Sequence, residues 1–388
     1  MAQVQGTCDE RFDAVKQLFQ SYIDSGNELG ASLYVNIDGT EVLDLYGGYA
    51  SADHSSPWTK DTITNIWSST KPVTNLAALL CIDRGLLDPF EKAAKYWPEF
   101  AANGKENVEV RHFLSHATGV SGWAAPITKE QVCDVRYSTD ILATQAPWWE
   151  PGTQSGYHSL NMGHLVGELV RRVSGKSLTQ FIADELAGPL DADFQLGAKE
   201  ADWHRVADNV APPPATAKDM IPGMEDPNSL TVRTLFNPPM TAAFANSPEW
   251  RGAEVGAANG HTNARGLGRI VTPVSLGGGN LLSPKTIDLI FKEQQSGLDG
   301  VIKQKLRLGI GFGLTGEDTW MRWLPDGRVC VWGGWGGSVV VMDLERKMTV
   351  TYVMNKMENA GMGNARTKEY VRAIYKAVGV ELRADEEE

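Results

Sequence analysis

The chain has 388 residues, 42% hydrophobic and 22% charged, so it can build roughly two or three lobes and is too apolar for wholesale disorder. Its 36 Lys and Arg against 48 Asp and Glu leave a net charge of −12, which argues against a broad phosphate-binding surface and favours solubility. It contains no run of about 18 apolar residues, so a membrane-spanning helix is not expected.

The opening MAQVQGTCDERFDAVKQ has no basic start followed by an apolar stretch, which predicts no secretory signal. Cys8, Cys81, Cys133 and Cys330 form no CxxC pair, so reduced thiols and a cytoplasmic location are expected. Phe12, Val15, Leu18, Phe19 and Ile23 have the spacing of an amphipathic helix over 10–24. ASLYVNIDGTEVLDLYGG then puts two apolar runs on either side of Asp38-Gly39, the signature of a β-hairpin.

The middle of the chain changes character. Segments 71–88, 110–119, 160–175 and 177–190 carry helical patterns ended by Gly or Pro. NVAPPPATAKDMIPGMEDPN (209–228) predicts a long loop that either borders a pocket or runs over the surface. Strand-like runs return at 308–314, 319–325, 328–334, 338–344 and 348–355. A last helix is expected over about 365–378, and the acidic tail Asp385–Glu388 reads as a frayed end. The layout predicts an α/β (α+β) fold. Residues 1–74 and 291–388 would form an antiparallel sheet flanked by helices, and 75–290 an inserted, mainly helical lobe.

The chemistry starts at Ser68-Ser69-Thr70-Lys71. Positions three apart share a helix face, so the Ser68 hydroxyl and the Lys71 amine can meet. Serine is a weak nucleophile without a base beside it. Gly156-Tyr157-His158-Ser159 precedes the helix pattern at 160–175, and a buried tyrosine near a lysine can move a proton. Trp332-Gly333-Gly334-Trp335-Gly336-Gly337 lies between two strand signals, where glycines admit a substrate close to the backbone. Backbone N–H groups there can face an oxyanion, and losing one such donor costs about 3 kcal/mol.

SSTK, YHS and WGG, in this order and spacing, resemble the penicillin-binding-protein-like serine hydrolases. The match runs over roughly 10–380, includes VRHFLSHATG and GHTNARGLGRI, and is most similar to the family VIII carboxylesterases related to class C β-lactamases. Lovastatin-type acyltransferases belong to the same superfamily. The resemblance implies a β-lactamase/transpeptidase-like fold with the site between its lobes. It implies Ser68 as the nucleophile of an acyl-enzyme, with Lys71 and Tyr157 as acid and base, and leaves open which of the two takes the first proton. The oxyanion hole would be the backbone N–H groups of Ser68 and Trp335. Ser159 would orient Lys71 or the substrate, Trp332, Gly333 and Gly334 would border the substrate, and His261 would face the pocket.

This chain departs from β-lactamases and transpeptidases where they carry Lys-Thr-Gly. Trp332-Gly333-Gly334 offers neither the charge nor the hydroxyl that binds a carboxylate, so an uncharged ester suits the site better. Acyl transfer to a small alcohol is the first alternative, and β-lactamase or D-amino-acid peptidase activity the second. A silent binding protein on the same fold is a third, but it gives no reason to keep Ser68, Lys71 and Tyr157 together. His112 and His116 stand four apart but lack the glutamate of HExxH, so no metal is expected and His116 is taken to pack within the helical lobe. GVSGW at 119–123 ends in tryptophan, so the GxSxG elbow of classical Ser-His-Asp hydrolases is absent. No cofactor, nucleic acid or membrane partner is expected; the partner is a small-molecule ester, and oligomeric state is not legible.

Overall fold

The computed structural model describes residues 2–384, so the acidic tail Asp385–Glu388 lies outside the described residues. Among the described residues thirteen strands build two sheets. The first seven in chain order are β1 (Gln5–Cys8), β2 (Gly30–Ile37), β3 (Thr40–Gly48), β4 (Ile63–Asn65), β5 (Phe194–Leu196), β6 (Val206–Ala207) and β7 (Gly260–Thr262). They continue with β8 (Gln295–Leu298), β9 (Lys305–Leu308), β10 (Gly313–Leu314), β11 (Val329–Gly333), β12 (Val339–Asp343) and β13 (Met348–Met354).

Nine strands form an antiparallel sheet in the order β1-β3-β2-β13-β12-β11-β10-β9-β8. The predicted hairpin is β2–β3. Asp38 and Gly39 hold φ of 49° and 85°, the left-handed pair that a two-residue turn needs to match strand twist. Strands β12 and β13 are buried at every position, as expected of strands covered on both faces. Helices Asp13–Ser25 and Ala365–Ala377 meet through Tyr370, whose ring stands edge-on to Phe19 at 5.9 Å and to Tyr22 at 5.4 Å.

Helix Ala264–Ser275 packs on β2, β12 and β13. The Ala264 N–H donates to Ser32 Oγ at 2.9 Å, and its carbonyl accepts from Thr351 Oγ1 at 2.7 Å. The stretch 75–290 is therefore not one helical unit, because its penultimate long apolar face is buried on the sheet. It also supplies three strands of the small sheet, ordered β5-β7-β4-β6. The rest of the stretch combines helices with long turns and loops. Helix Lys71–Asp83 packs against Asn161–Ser174, with Leu178–Ile182 against both.

Two expected strands do not form: 308–314 spans the end of β9, a turn and β10, and a second run is turns throughout. Residues 319–325 form turns, with the Arg322 N–H bonded to the Thr319 carbonyl and Leu324 to Met321. The aromatic residues there fill the core instead, Trp323 being 3% exposed. The loop 209–228 is pinned at its start, where Val210 exchanges backbone bonds with Asn355 and Met357, and it runs exposed over most of 211–220. No helix among the described residues is long and apolar enough to cross a membrane.

Candidate active site

A single 3-10 turn, Trp67–Thr70, runs directly into helix Lys71–Asp83 and carries Ser68 at the helix's N-terminal end. Trp67 holds φ of +47°, a conformation a bulky side chain adopts only under strain. Thr70 Oγ1 accepts from the Gly260 N–H at 2.8 Å, and the Ile66 N–H donates to the Gly260 carbonyl at 2.9 Å. The turn is thereby tied to β7.

Ser68 is half-buried and touched by two titratable side chains. Lys71 Nζ lies 2.9 Å from its Oγ, and Tyr157 Oη lies 2.7 Å from it. Lys71 is wholly enclosed, and its other two contacts are main-chain oxygens, Ser159 O at 2.7 Å and Ala257 O at 3.0 Å. Burial without a carboxylate partner pulls the Lys71 ammonium well below the usual lysine range. Burial also pushes the Tyr157 phenol above its usual range, against the opposing hydrogen bond to Ser68. The Lys71 nitrogen stands 4.8 Å from the Tyr157 ring centre.

The end of β11 presses against the Trp67–Thr70 turn. A Cβ at Gly334 would stand 2.3 Å from the Ile66 carbonyl oxygen and 3.1 Å from the Ser69 nitrogen, so only glycine permits this approach. Ser338 Oγ bonds to Ser69 Oγ at 2.8 Å and donates to the Ile66 carbonyl at 3.2 Å. Among the described residues, neither the Ser68 nor the Trp335 backbone N–H donates to a protein acceptor. Trp335 is half-buried, with its ring 4.8 Å from that of Trp67.

Ser159 reaches Lys71 through its carbonyl, while its side chain is half-buried and makes no hydrogen bond among those described. His158 is turned away from Ser68. Its Nδ1 donates to the Gly156 carbonyl at 2.6 Å and its Nε2 accepts from Thr118 Oγ1 at 2.6 Å. Burial holds His158 neutral, with its pKa lowered to about 4.

His116 is buried, as expected of a packing residue, but it packs beside Tyr157: its ring lies 5.2 Å from that of Tyr157 and 5.4 Å from Trp332, nearly parallel to the latter. Its Nδ1 accepts the His158 N–H at 3.1 Å. His112 turns elsewhere, accepting the Glu109 N–H in a helix cap, so the two histidines do not converge. Among the described residues no cluster of His, Cys, Asp and Glu could hold a metal ion.

His261 is not brought to Ser68. It is fully buried on β7, with Nδ1 on the Asn259 carbonyl at 2.8 Å, and burial lowers its pKa to about 4. Ser68, Tyr157, Ser159 and Trp335 are half-buried, and Trp332, stacked on His116, is buried. The sequence carried no sign of His116 in this role, because its contacts come from segments over forty residues away.

A sequence model of the Beta-lactamase family matches residues 15–373. The esterase/beta-lactamase LipL of Mycobacterium tuberculosis is 33% identical over 279 residues, covering 70% of this chain. That match spans 65% of LipL, less than two thirds of its length. The crystal structure of a family VIII carboxylesterase superposes with a TM-score of 0.89 at 34% identity, covering 97% of this chain and all of the other. A penicillin-binding protein homologue from Caulobacter crescentus superposes with a TM-score of 0.88 at 32% identity, with the same coverage.

Proposed function

The chain belongs to the beta-lactamase family and has its fold, and from that premise we propose that it hydrolyses small carboxylic esters through an acyl-Ser68 intermediate. The observation that carries this reading is the double contact on Ser68 Oγ, from Lys71 Nζ at 2.9 Å and from Tyr157 Oη at 2.7 Å.

A neutral Lys71 amine matches its surroundings group for group. Two N–H bonds serve the Ser159 and Ala257 carbonyls, and the lone pair is left to face the Ser68 hydroxyl. Ser68 Oγ attacks the ester carbonyl as its proton passes to the Lys71–Tyr157 pair. The carbonyl electron pair moves onto oxygen, facing the Ser68 and Trp335 N–H groups. Collapse breaks the bond to the alkoxide, which leaves with a proton from the pair. Water, deprotonated by the same pair, then releases the acid and restores Ser68.

The bordering residues favour an uncharged substrate. Trp332, Gly333 and Gly334 offer no cation, and Lys71 is committed to Ser68 and two carbonyls. The half-buried Trp335, packed on the buried Trp67, presents ring surface beside Ser68, suited to acyl or aryl groups. His261 takes no substrate contact in this scheme, since it has no exposed surface. Acyl transfer would use the same intermediate, with an apolar alcohol on the Trp335 surface taking the place of water.

The test is hydrolysis of p-nitrophenyl acetate, butyrate and octanoate, with nitrocefin in parallel, by the native protein and Ser68→Ala. Ester turnover lost in the variant, with little nitrocefin cleavage, is the expected result. Full ester turnover in Ser68→Ala would overturn the reading, and fast nitrocefin cleavage would replace it with a β-lactamase. Products formed with an added alcohol separate hydrolysis from acyl transfer.

A further inference from the structure

Tyr157 is held from behind by a residue far away in sequence. Asp299 follows β8 and is fully buried. Its Oδ1 accepts three backbone N–H groups, from Tyr157 at 3.0 Å, Val301 at 2.9 Å and Ile302 at 3.0 Å. Its Oδ2, also buried, has no hydrogen-bond partner among the described residues. The turn that carries it is anchored on both sides. The Gly300 N–H donates to the Ser155 carbonyl at 2.9 Å, and Thr231 Oγ1 donates to the Val301 carbonyl at 2.6 Å.

Those three hydrogen bonds do not need a carboxylate, because an asparagine Oδ1 would accept the same donors. What asparagine would lack is the negative charge, and here that charge is buried beside the Tyr157 backbone. A buried charge acts strongly on its neighbours because little water screens it.

The Lys71–Tyr157 pair can be uncharged overall in two ways, as amine with phenol or as ammonium with phenolate. An anion behind Tyr157 opposes the phenolate. We propose that Asp299 is a positioning residue for acylation: it fixes Tyr157 by its N–H and keeps the phenol proton on Tyr157, leaving Lys71 to accept the proton of Ser68. The inference rests on the hydrolase reading above.

The other groups facing Tyr157 are compatible with this division. Ser68 and Lys71 approach from the nucleophile turn, His116 from the segment after Val110–Leu114, and Trp332 from β11. Burial holds His116 and His158 in their neutral forms, so neither puts a cation beside the phenol. Burial opposes a phenolate at Tyr157, and the Asp299 charge adds to it.

The step balances. The Ser68 O–H bond breaks and its proton goes to the Lys71 lone pair as the Oγ–carbon bond forms. The departing alkoxide takes the Tyr157 phenol proton, and the Lys71 ammonium returns its own proton to the phenolate. Ester and Ser68 become acyl-Ser68 and alcohol, with the pair as it began.

The experiment compares the native protein, Asp299→Asn and Tyr157→Phe, each made with tyrosine carrying the NMR-active carbon isotope at Cζ. The resonance missing from Tyr157→Phe is that of Tyr157. In the native protein it should stay at the phenol position past about pH 10, where free tyrosine titrates. In Asp299→Asn, which keeps the Oδ1 acceptor, phenolate should appear about one pH unit lower than in the native protein. A purely structural role for Asp299 leaves that titration unmoved, so identical behaviour in both proteins overturns the proposal. Phenolate at neutral pH in the native protein overturns it as well. If Asp299→Asn fails to fold, Asp299→Ser, which also offers an uncharged oxygen acceptor, takes its place in the same titration with the same two outcomes. A parallel fluorophosphonate reaction reports on Ser68, and failure of the native protein to label would remove the hydrolase reading itself.

Discussion

Gly334 lies against Ile66 so closely that any Cβ would stand 2.3 Å from the Ile66 carbonyl oxygen. The contact joins the end of β11 to the turn that carries Ser68. Gly334→Ala should push the strand end away and move the Trp335 N–H with it. We expect kcat/KM on p-nitrophenyl butyrate to fall by about 100-fold or more, with unchanged far-ultraviolet dichroism. Retention of full activity would show that the approach of β11 does not set the site.

Removing the phenol should separate chemistry from binding. Tyr157→Phe keeps the ring beside Trp332 and His116 but loses the hydroxyl at 2.7 Å from Ser68. General acid–base groups contribute roughly 100- to 10,000-fold, so kcat should drop within that range while KM changes little. Lys71→Ala should be hit at least as hard, since the amine touches the same oxygen. Steady-state kinetics on one ester series decides both.

His116 is expected to matter through His158. Its Nδ1 is the acceptor for the His158 N–H, and both residues are buried. His116→Phe preserves the aromatic packing on Trp332 but strands that N–H, at a cost of about 1–3 kcal/mol. Urea unfolding should register this loss. His116→Gln, which can offer an acceptor, should recover part of it; no difference between the two variants would count against this reading of the contact.

The buried histidines should make the protein sensitive to acid. His158 and His261 bind a proton with a pKa of about 4 when folded, against the ordinary 6.5. Below pH 6.5 the unfolded chain therefore takes up protons that the folded chain refuses. Stability should be full above about pH 6.5 and fall progressively towards about pH 4, by roughly 3 kcal/mol per histidine. Urea midpoints at pH 7 and pH 5 test this, and His261→Gln should flatten the difference.

Local signals carried most of what the sequence revealed. Asp38-Gly39 marked its hairpin because left-handed backbone selects such residues, and Ser68 and Lys71 met because their spacing is one helical turn. Residues 319–325 misled because Trp320, Met321 and Trp323 look alike whether they pack from a strand or from turns. The packing of helix Ala264–Ser275 on the sheet was not legible for a different reason, since an apolar face does not say which surface it will cover. Asp299 and His116 were invisible as parts of the site. Each acts through a backbone N–H contributed by another segment, and no spacing rule encodes such a meeting.

The way Lys71 is gripped has a consequence for how this protein can diverge. Two of its three partners are peptide oxygens, from Ser159 and Ala257, which every amino acid possesses. The half-exposed side chain at 159 is thereby released from the task of holding the lysine. Mutational drift or a focused library at that position can remodel the surface beside Ser68, and on the proposed hydrolase reading the range of esters admitted, while leaving the hold on Lys71 untouched.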